Sequence, residues 1–164
     1  MTDSTVRLAP TPTGCCLRVE GSGTLRQSPA ALDAATRVLA GDTDATVVFD
    51  LSACDYLDST FLGVLIDLYR QFGKRGSARY SIAAPPERRK QLFGPTNLDR
   101  LIPMTDAPPT TCGAWVELPA RDLSKRELVR HVMEAHRALA QVDCPMREIF
   151  ARIASEMEKE LTSG

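Results

Sequence analysis

Residues 45–51, ATVVFDL, form an almost unbroken apolar run rich in β-branched and aromatic side chains, and this run constrains the rest of the chain. A strand with no polar face has nothing to offer water, so it belongs in the middle of a sheet covered on both sides. After a short polar loop at 52–57, residues 59–72 place Leu62, Leu65, Ile66, Tyr69 and Phe72 at helical spacing. Gly73 and Gly76 are expected to close that helix. The helix then supplies one of the covers that the strand requires.

The neighbouring segments repeat the alternation. Residues 15–20, CCLRVE, read as a strand that Gly21, Ser22 and Gly23 break. Ser28 is expected to accept a bond from an orphan backbone N–H while Pro29 takes the first helical position; Leu32, Ala35 and Leu39 then share a face and Gly41 ends the helix. A third strand is predicted over residues 79–84, RYSIAA. Pro85 and Pro86 block its continuation and open a short helix to about Phe93, stopped by Gly94 and Pro95. Leu98, Leu101 and Ile102 add a short apolar stripe. Strands alternating with helices imply helices packed on a sheet with at least some parallel pairs.

Beyond residue 105 the pattern changes. Prolines and small polar residues mark 106–120 as a linker, with residues 115–118 either a small strand or an anchor made by the Trp115 indole. Residues 121–164 read as a helical extension. Ser124 and Glu127 have the form of a reciprocal cap, followed by Leu128, Val132, Ala135 and Leu139 on one face. A second helix starts near 143–145 and carries Met146, Ile149, Phe150, Ile153, Met157 and Leu161 as a stripe. Such a hairpin can fold back on the sheet domain, pair with a second copy or dock a partner helix; a homodimer through these helices is the favoured expectation.

Several function classes find no support. Formal net charge is −1 with no long block of either sign, so neither nucleic acid nor a membrane is an expected partner. Arg88, Arg89 and Lys90 lack aromatic neighbours and read as a solvated face. The longest strongly apolar run, residues 61–66, is far short of the roughly 20 residues of a membrane span, and no leader is recognisable, so a soluble, cytoplasmic protein is expected. Five cysteines with no CxxC pair suit reduced thiols rather than a disulfide framework or zinc. His131 and His136, five apart on a helix, point about 140° away from each other and are poor co-ligands for one metal. They read as ordinary, partly exposed residues. With both histidines in the extension, no Ser, His, Asp arrangement can be assembled around the core, and neither catalysis nor a cofactor or metal is expected.

The most informative stretch is FDLSACDYLDSTFLGVLIDL, residues 49–68. Asp58, Ser59 and Thr60 stand where the helix begins, and there the backbone N–H groups lack partners and stabilise carboxylate or phosphate oxygens. Singly, each is an ordinary cap residue. As an ordered string, Asp50-Leu51-Ser52 followed by Asp58-Ser59-Thr60-Phe61-Leu62-Gly63 resembles the STAS domain, named for sulfate transporters and anti-sigma factor antagonists, and is most similar to the free-standing bacterial antagonists. The likeness covers roughly residues 14–105.

The resemblance implies an α/β fold with a mixed β-sheet packed against helices, to which the C-terminal helical hairpin is an addition. It implies a phosphorylated serine directly after the aspartate, which transfers to Ser59. It also implies a partner that is both an anti-sigma factor and a serine kinase, bound by the unmodified domain and lost on phosphorylation. Asp58, Ser59, Thr60, Phe61 and Arg26 are the expected contact residues. Two positions depart from the pattern: Phe61 stands where the family usually has glycine, and the early turn Gly23-Thr24-Leu25-Arg26 ends in a cation where G-x-L-D is common. Arg26 either pairs with a phosphate on Ser59, if the two loops meet, or is a solvated surface residue. Two rival readings stand beside this one: a scaffold of the same fold that is never phosphorylated, and a thiol redox sensor using Cys54, which lies before the helix N-terminus.

Overall fold

The computed structural model describes residues 3–73 and 79–163. Gly76, one of the two expected helix terminators, lies outside them. In chain order the elements are β1 (Thr5–Thr11), β2 (Gly14–Gly23), α1 (Ser28–Gly41), β3 (Thr46–Asp50), β4 (Cys54–Leu57), α2 (Ser59–Phe72), β5 (Tyr80–Ala83), α3 (Pro86–Phe93), a 3-10 turn (Leu98–Arg100), β6 (Met104–Thr105), β7 (Val116–Glu117), α4 (Lys125–Leu139) and α5 (Arg147–Ser163).

Among the described residues the strands form one sheet in the order β6-β5-β3-β2-β1-β7, with β4 pairing the far end of β2. The sheet is mixed: β2, β3, β5 and β6 run parallel, while β1 is antiparallel to both β2 and β7. As its unbroken apolar run requires, β3 sits between β2 and β5, and Val47 and Phe49 are completely buried. Along β2, alternation sends Cys15, Leu17 and Val19 into the main core. Arg18 points the other way, its guanidinium 4.1 Å from the centre of the Trp115 ring.

Helices α1 and α2 lie side by side on the sheet. The Tyr80 hydroxyl of β5 donates to the Leu65 carbonyl of α2 across 2.9 Å, a buried bond that fixes helix against strand. Phe49 meets Phe61 and Tyr80 edge to face, with ring centres 6.3 and 6.0 Å apart.

Three expectations are revised. The loop at 52–57 contains β4, parallel to β2 in the register Gly21↔Cys54, Ser22↔Tyr56 and Gly23↔Leu57. The segment 106–120 is docked on the sheet: Cys112 N–H donates to Pro10 C=O, Leu118 N–H to Val6 C=O, and β7 lies along β1. Trp115 is thus both next to a short strand and an anchor. Ser28 does not cap α1, since its buried hydroxyl lies 2.8 Å from Nε2 of His131.

Helix α4 begins in a complete capping box, with Ser124 Oγ accepting from Glu127 N–H and the Glu127 carboxylate accepting from Ser124 N–H. It folds back on α2, and α5 packs along α4. Part of the apolar stripe, including Ala135, Leu139 and Phe150, is buried within the chain, while Ile149 is 50% exposed. No helix among the described residues is long and apolar enough to cross a membrane.

Candidate functional site

The site is assembled where the turn after β2 meets the start of α2. Gly21 has φ +74°, which releases β2 from its regular path. At Gly23 an added Cβ would lie 2.6 Å from Leu57 Cδ2 and 3.1 Å from Phe61 Cδ2, so any larger residue would require the Leu57 and Phe61 side chains to give way. Asp58 holds the junction. Its Oδ1 accepts from Phe61 N–H at 2.8 Å, capping α2, and its Oδ2 accepts from Leu25 N–H at 2.7 Å. Asp58 N–H in turn donates to Gly23 C=O at 2.9 Å. One carboxylate thereby satisfies an orphan donor and joins the 23–26 turn to the helix.

Asp50, the aspartate of D-L-S, is wholly buried and does comparable work one turn earlier. Arg18 Nε donates to its Oδ2 at 2.9 Å, and Ser52 N–H and Oγ donate to its Oδ1 at 3.0 and 2.6 Å. The D-L-S string is a structural corner that ends β3 and aims the chain at β4.

Ser59 occupies the first position of α2 and is half-buried. Its Oγ lies 2.8 Å from Nε2 of His136 on α4. The other ring nitrogen, Nδ1, is 2.8 Å from the Val132 carbonyl. A carbonyl only accepts, so Nδ1 carries a hydrogen, and on the neutral ring Nε2 accepts the hydrogen bond that the Ser59 hydroxyl donates. Phe150 of α5 closes the outer side of the imidazole at 5.9 Å between ring centres.

The expected partial exposure holds for His131 and not for His136, and both histidines are engaged. His136 is 3% exposed and His131 is half-buried, each bonded to a different serine at the start of a different helix. Burial lowers the His131 pKa from its ordinary value; the Asp58 carboxylate opposes that and Arg121 reinforces it. Sequence reasoning passed over both. Their position on the stripe was the available signal, since His136 follows Val132 by four residues and precedes Leu139 by three.

The expected contact residues divide. Asp58 and Ser59 are half-buried and Arg26 is exposed, whereas Thr60 is 5% exposed and Phe61 is fully buried. Phe61 is thus a core residue, a correction to its expected surface role: its ring takes the space above Gly23 against Phe49 and presents nothing to a partner. Thr60 is likewise turned inward. The loops of Arg26 and Ser59 meet through Asp58, yet their side chains line different hollows. Arg26 shares one with Asp3, Gln27 and Glu117; Ser59 shares a groove of about 370 Å³ with Tyr56, Leu62, Thr96, Met146 and Phe150.

Cys54 lies on β4, fully buried, with Sγ donating to Tyr56 C=O, and burial pushes its thiol up to about 11. A thiol held protonated there is a poor nucleophile, which removes the physical basis of the redox reading.

A mixed sheet with α1 and α2 on it, a D-L-S corner and an aspartate-capped serine at the start of α2 define a small α/β module that carries one hydroxyl at a helix mouth. The chain belongs to the STAS domain family, whose match spans residues 6–109. Among solved structures it is similar to an anti-sigma factor antagonist from Mycobacterium paratuberculosis, at 25% identity over 65% of this chain and 87% of that one, with a TM-score of 0.49. No curated protein matches the chain.

Proposed function

We propose that the chain is a regulatory binding protein of the anti-sigma factor antagonist type, cytoplasmic and not an enzyme, whose unmodified form binds an anti-sigma factor with serine kinase activity. Phosphorylation of Ser59 ends that binding. Membership of the STAS family and the position of Ser59 support the reading. The observation that carries it is the placement of Ser59 Oγ at the first turn of α2, beside a groove, while Asp58 and not Ser59 makes the cap. In the transfer, Oγ bonds the γ-phosphorus of a nucleoside triphosphate, the bond to the β–γ bridging oxygen breaks, and the hydroxyl proton leaves. The product adds about −1.5 to −2 charge at a helix N-terminus that tolerates it, on a surface that a partner would have to desolvate.

Phosphoprotein mass spectrometry of the chain from its native host, together with partner capture by wild type, Ser59→Ala and Ser59→Asp, tests the reading. A phosphate on Ser59 and loss of the partner by Ser59→Asp alone are expected. A second reading, a constitutive scaffold of the same fold, is favoured by one observation: the Ser59 hydroxyl is already engaged by His136. Equal capture by all three forms selects the scaffold.

A further inference from the structure

The α4–α5 hairpin closes over Ser59 at backbone distance. At Gly63, one turn into α2, an added Cβ would lie 2.3 Å from the Ala135 carbonyl oxygen and 2.6 Å from Ala135 Cβ, so the two helices cross with nothing between them. On one side of this crossing Ser59 Oγ meets His136 Nε2, and Ser28 Oγ meets His131 Nε2, each at 2.8 Å. Further along α2, Arg70 donates to Gln141, just past the end of α4. Ala135, Ala138 and Leu139 of α4 are buried by the closure.

The imidazole of His136 is bonded to the Val132 carbonyl of the preceding turn and packs edge to face on Phe150, so turning it away from Ser59 would cost both contacts. The α4 backbone cannot slide toward α2, because Gly63 already touches it. Toward His136, a phosphoryl group would put a phosphorus and three hydrated oxygens where one hydrogen bond now fits, next to the Asp58 carboxylate; turned into the groove that Ser59 lines, it would face the apolar Met146 and Phe150 of the hairpin.

We propose that the hairpin is an intramolecular latch over Ser59 that a phosphoryl group displaces. The closed hairpin and a phosphorylated Ser59 exclude each other. A kinase then acts on the opened fraction of molecules, and its product stays open. The inference rests on the reading of Ser59 as the phosphoacceptor, but its steric content can be measured without any kinase.

The experiment uses the full chain with phosphoserine installed at position 59 by codon reassignment, and reads hydrogen exchange by mass spectrometry. The α4 and α5 amides are expected to exchange at least about tenfold faster than in the unmodified chain, with β3 and β5 unchanged. Gly63→Ala, which wedges α4 from α2 while leaving Ser59 intact, is expected to give the same pattern. Slow exchange of α4 in the phosphoserine chain overturns the proposal, as does an unmodified chain whose hairpin already exchanges as fast as Gly63→Ala. Absence of phosphate on Ser59 in the native host is a separate result: it defeats the proposed function and leaves these exchange rates as they are.

Discussion

Ser59 and His136, 77 residues apart in sequence, share a hydrogen bond of 2.8 Å that joins the first turn of α2 to the last turn of α4. Without Ser59 the buried His136 ring would lose its Nε2 partner, and without His136 the half-buried Ser59 hydroxyl would lose its acceptor. Ser59→Ala and His136→Ala are each expected to cost about 1–3 kcal/mol, and the double variant less than the sum, with a coupling of about 0.5–1.5 kcal/mol. Urea unfolding of the four proteins in a double-mutant cycle measures it; strict additivity would show that the bond contributes nothing.

Asp58 is the residue whose loss should cost most at the site itself, because Phe61 N–H and Leu25 N–H both depend on its carboxylate. Asp58→Ala is expected to destabilise the fold by about 1–2 kcal/mol. Asp58→Asn, which keeps one acceptor oxygen, should fall between Ala and wild type. Denaturant midpoints rank the three.

The contact between Ser28 and His131 predicts a pH dependence. Burial lowers the folded-state pKa of His131 below its ordinary value, so in the window between the two the unfolded chain binds more protons. The contribution is fully present above the unfolded value of about 6.5 and is lost as pH falls toward the depressed folded value. The protection factors of the α4 amides, corrected for the intrinsic base-catalysed rate, should therefore fall from about pH 7.5 to about pH 5.5, with a smaller change in His131→Gln. An identical pH response in the two proteins would assign the effect to another group.

Phe61 fills the space over Gly23 where the family's usual glycine would leave none of that packing. Phe61→Ala is expected to cost about 3–5 kcal/mol, the cost of emptying a large core site. If it costs less than about 1 kcal/mol, in the range of surface substitutions, the core assignment of Phe61 is wrong.

Thiol reactivity should follow burial. Cys112 is exposed, Cys144 is half-buried, and Cys15, Cys16 and Cys54 are buried with their pKa values raised to about 11, 12 and 11. Iodoacetamide near neutral pH is expected to modify Cys112 first and the buried three only on unfolding. Fast labelling of Cys54 in the folded chain would restore the redox reading.

What the sequence determined by itself was whatever depends on near neighbours in the chain. The bounds of α2 and α3, the capping box of α4 and the central place of β3 all follow from period, cap chemistry and proline within a few residues. Besides the two-residue β6, two strands escaped that reading for physical reasons. In β1 the prolines at 10 and 12 obscure a strand that pairing with β2 and β7 sustains, and β4 shows the burial pattern BeeB instead of alternation because only its pairing with the end of β2 makes it a strand.

The site divided along the same line. Asp58 and Ser59 at a helix mouth were legible because a cap is local; the covering of Ser59 was not, since a helical stripe states that a face will be buried without stating against what. Only the tertiary structure laid α4 on α2, turned Phe61 inward and carried His131 and His136 to two serines. Those choices are made by closeness of backbones at Gly63 and Ala135, a property of the folded chain in three dimensions that no window of neighbouring residues contains.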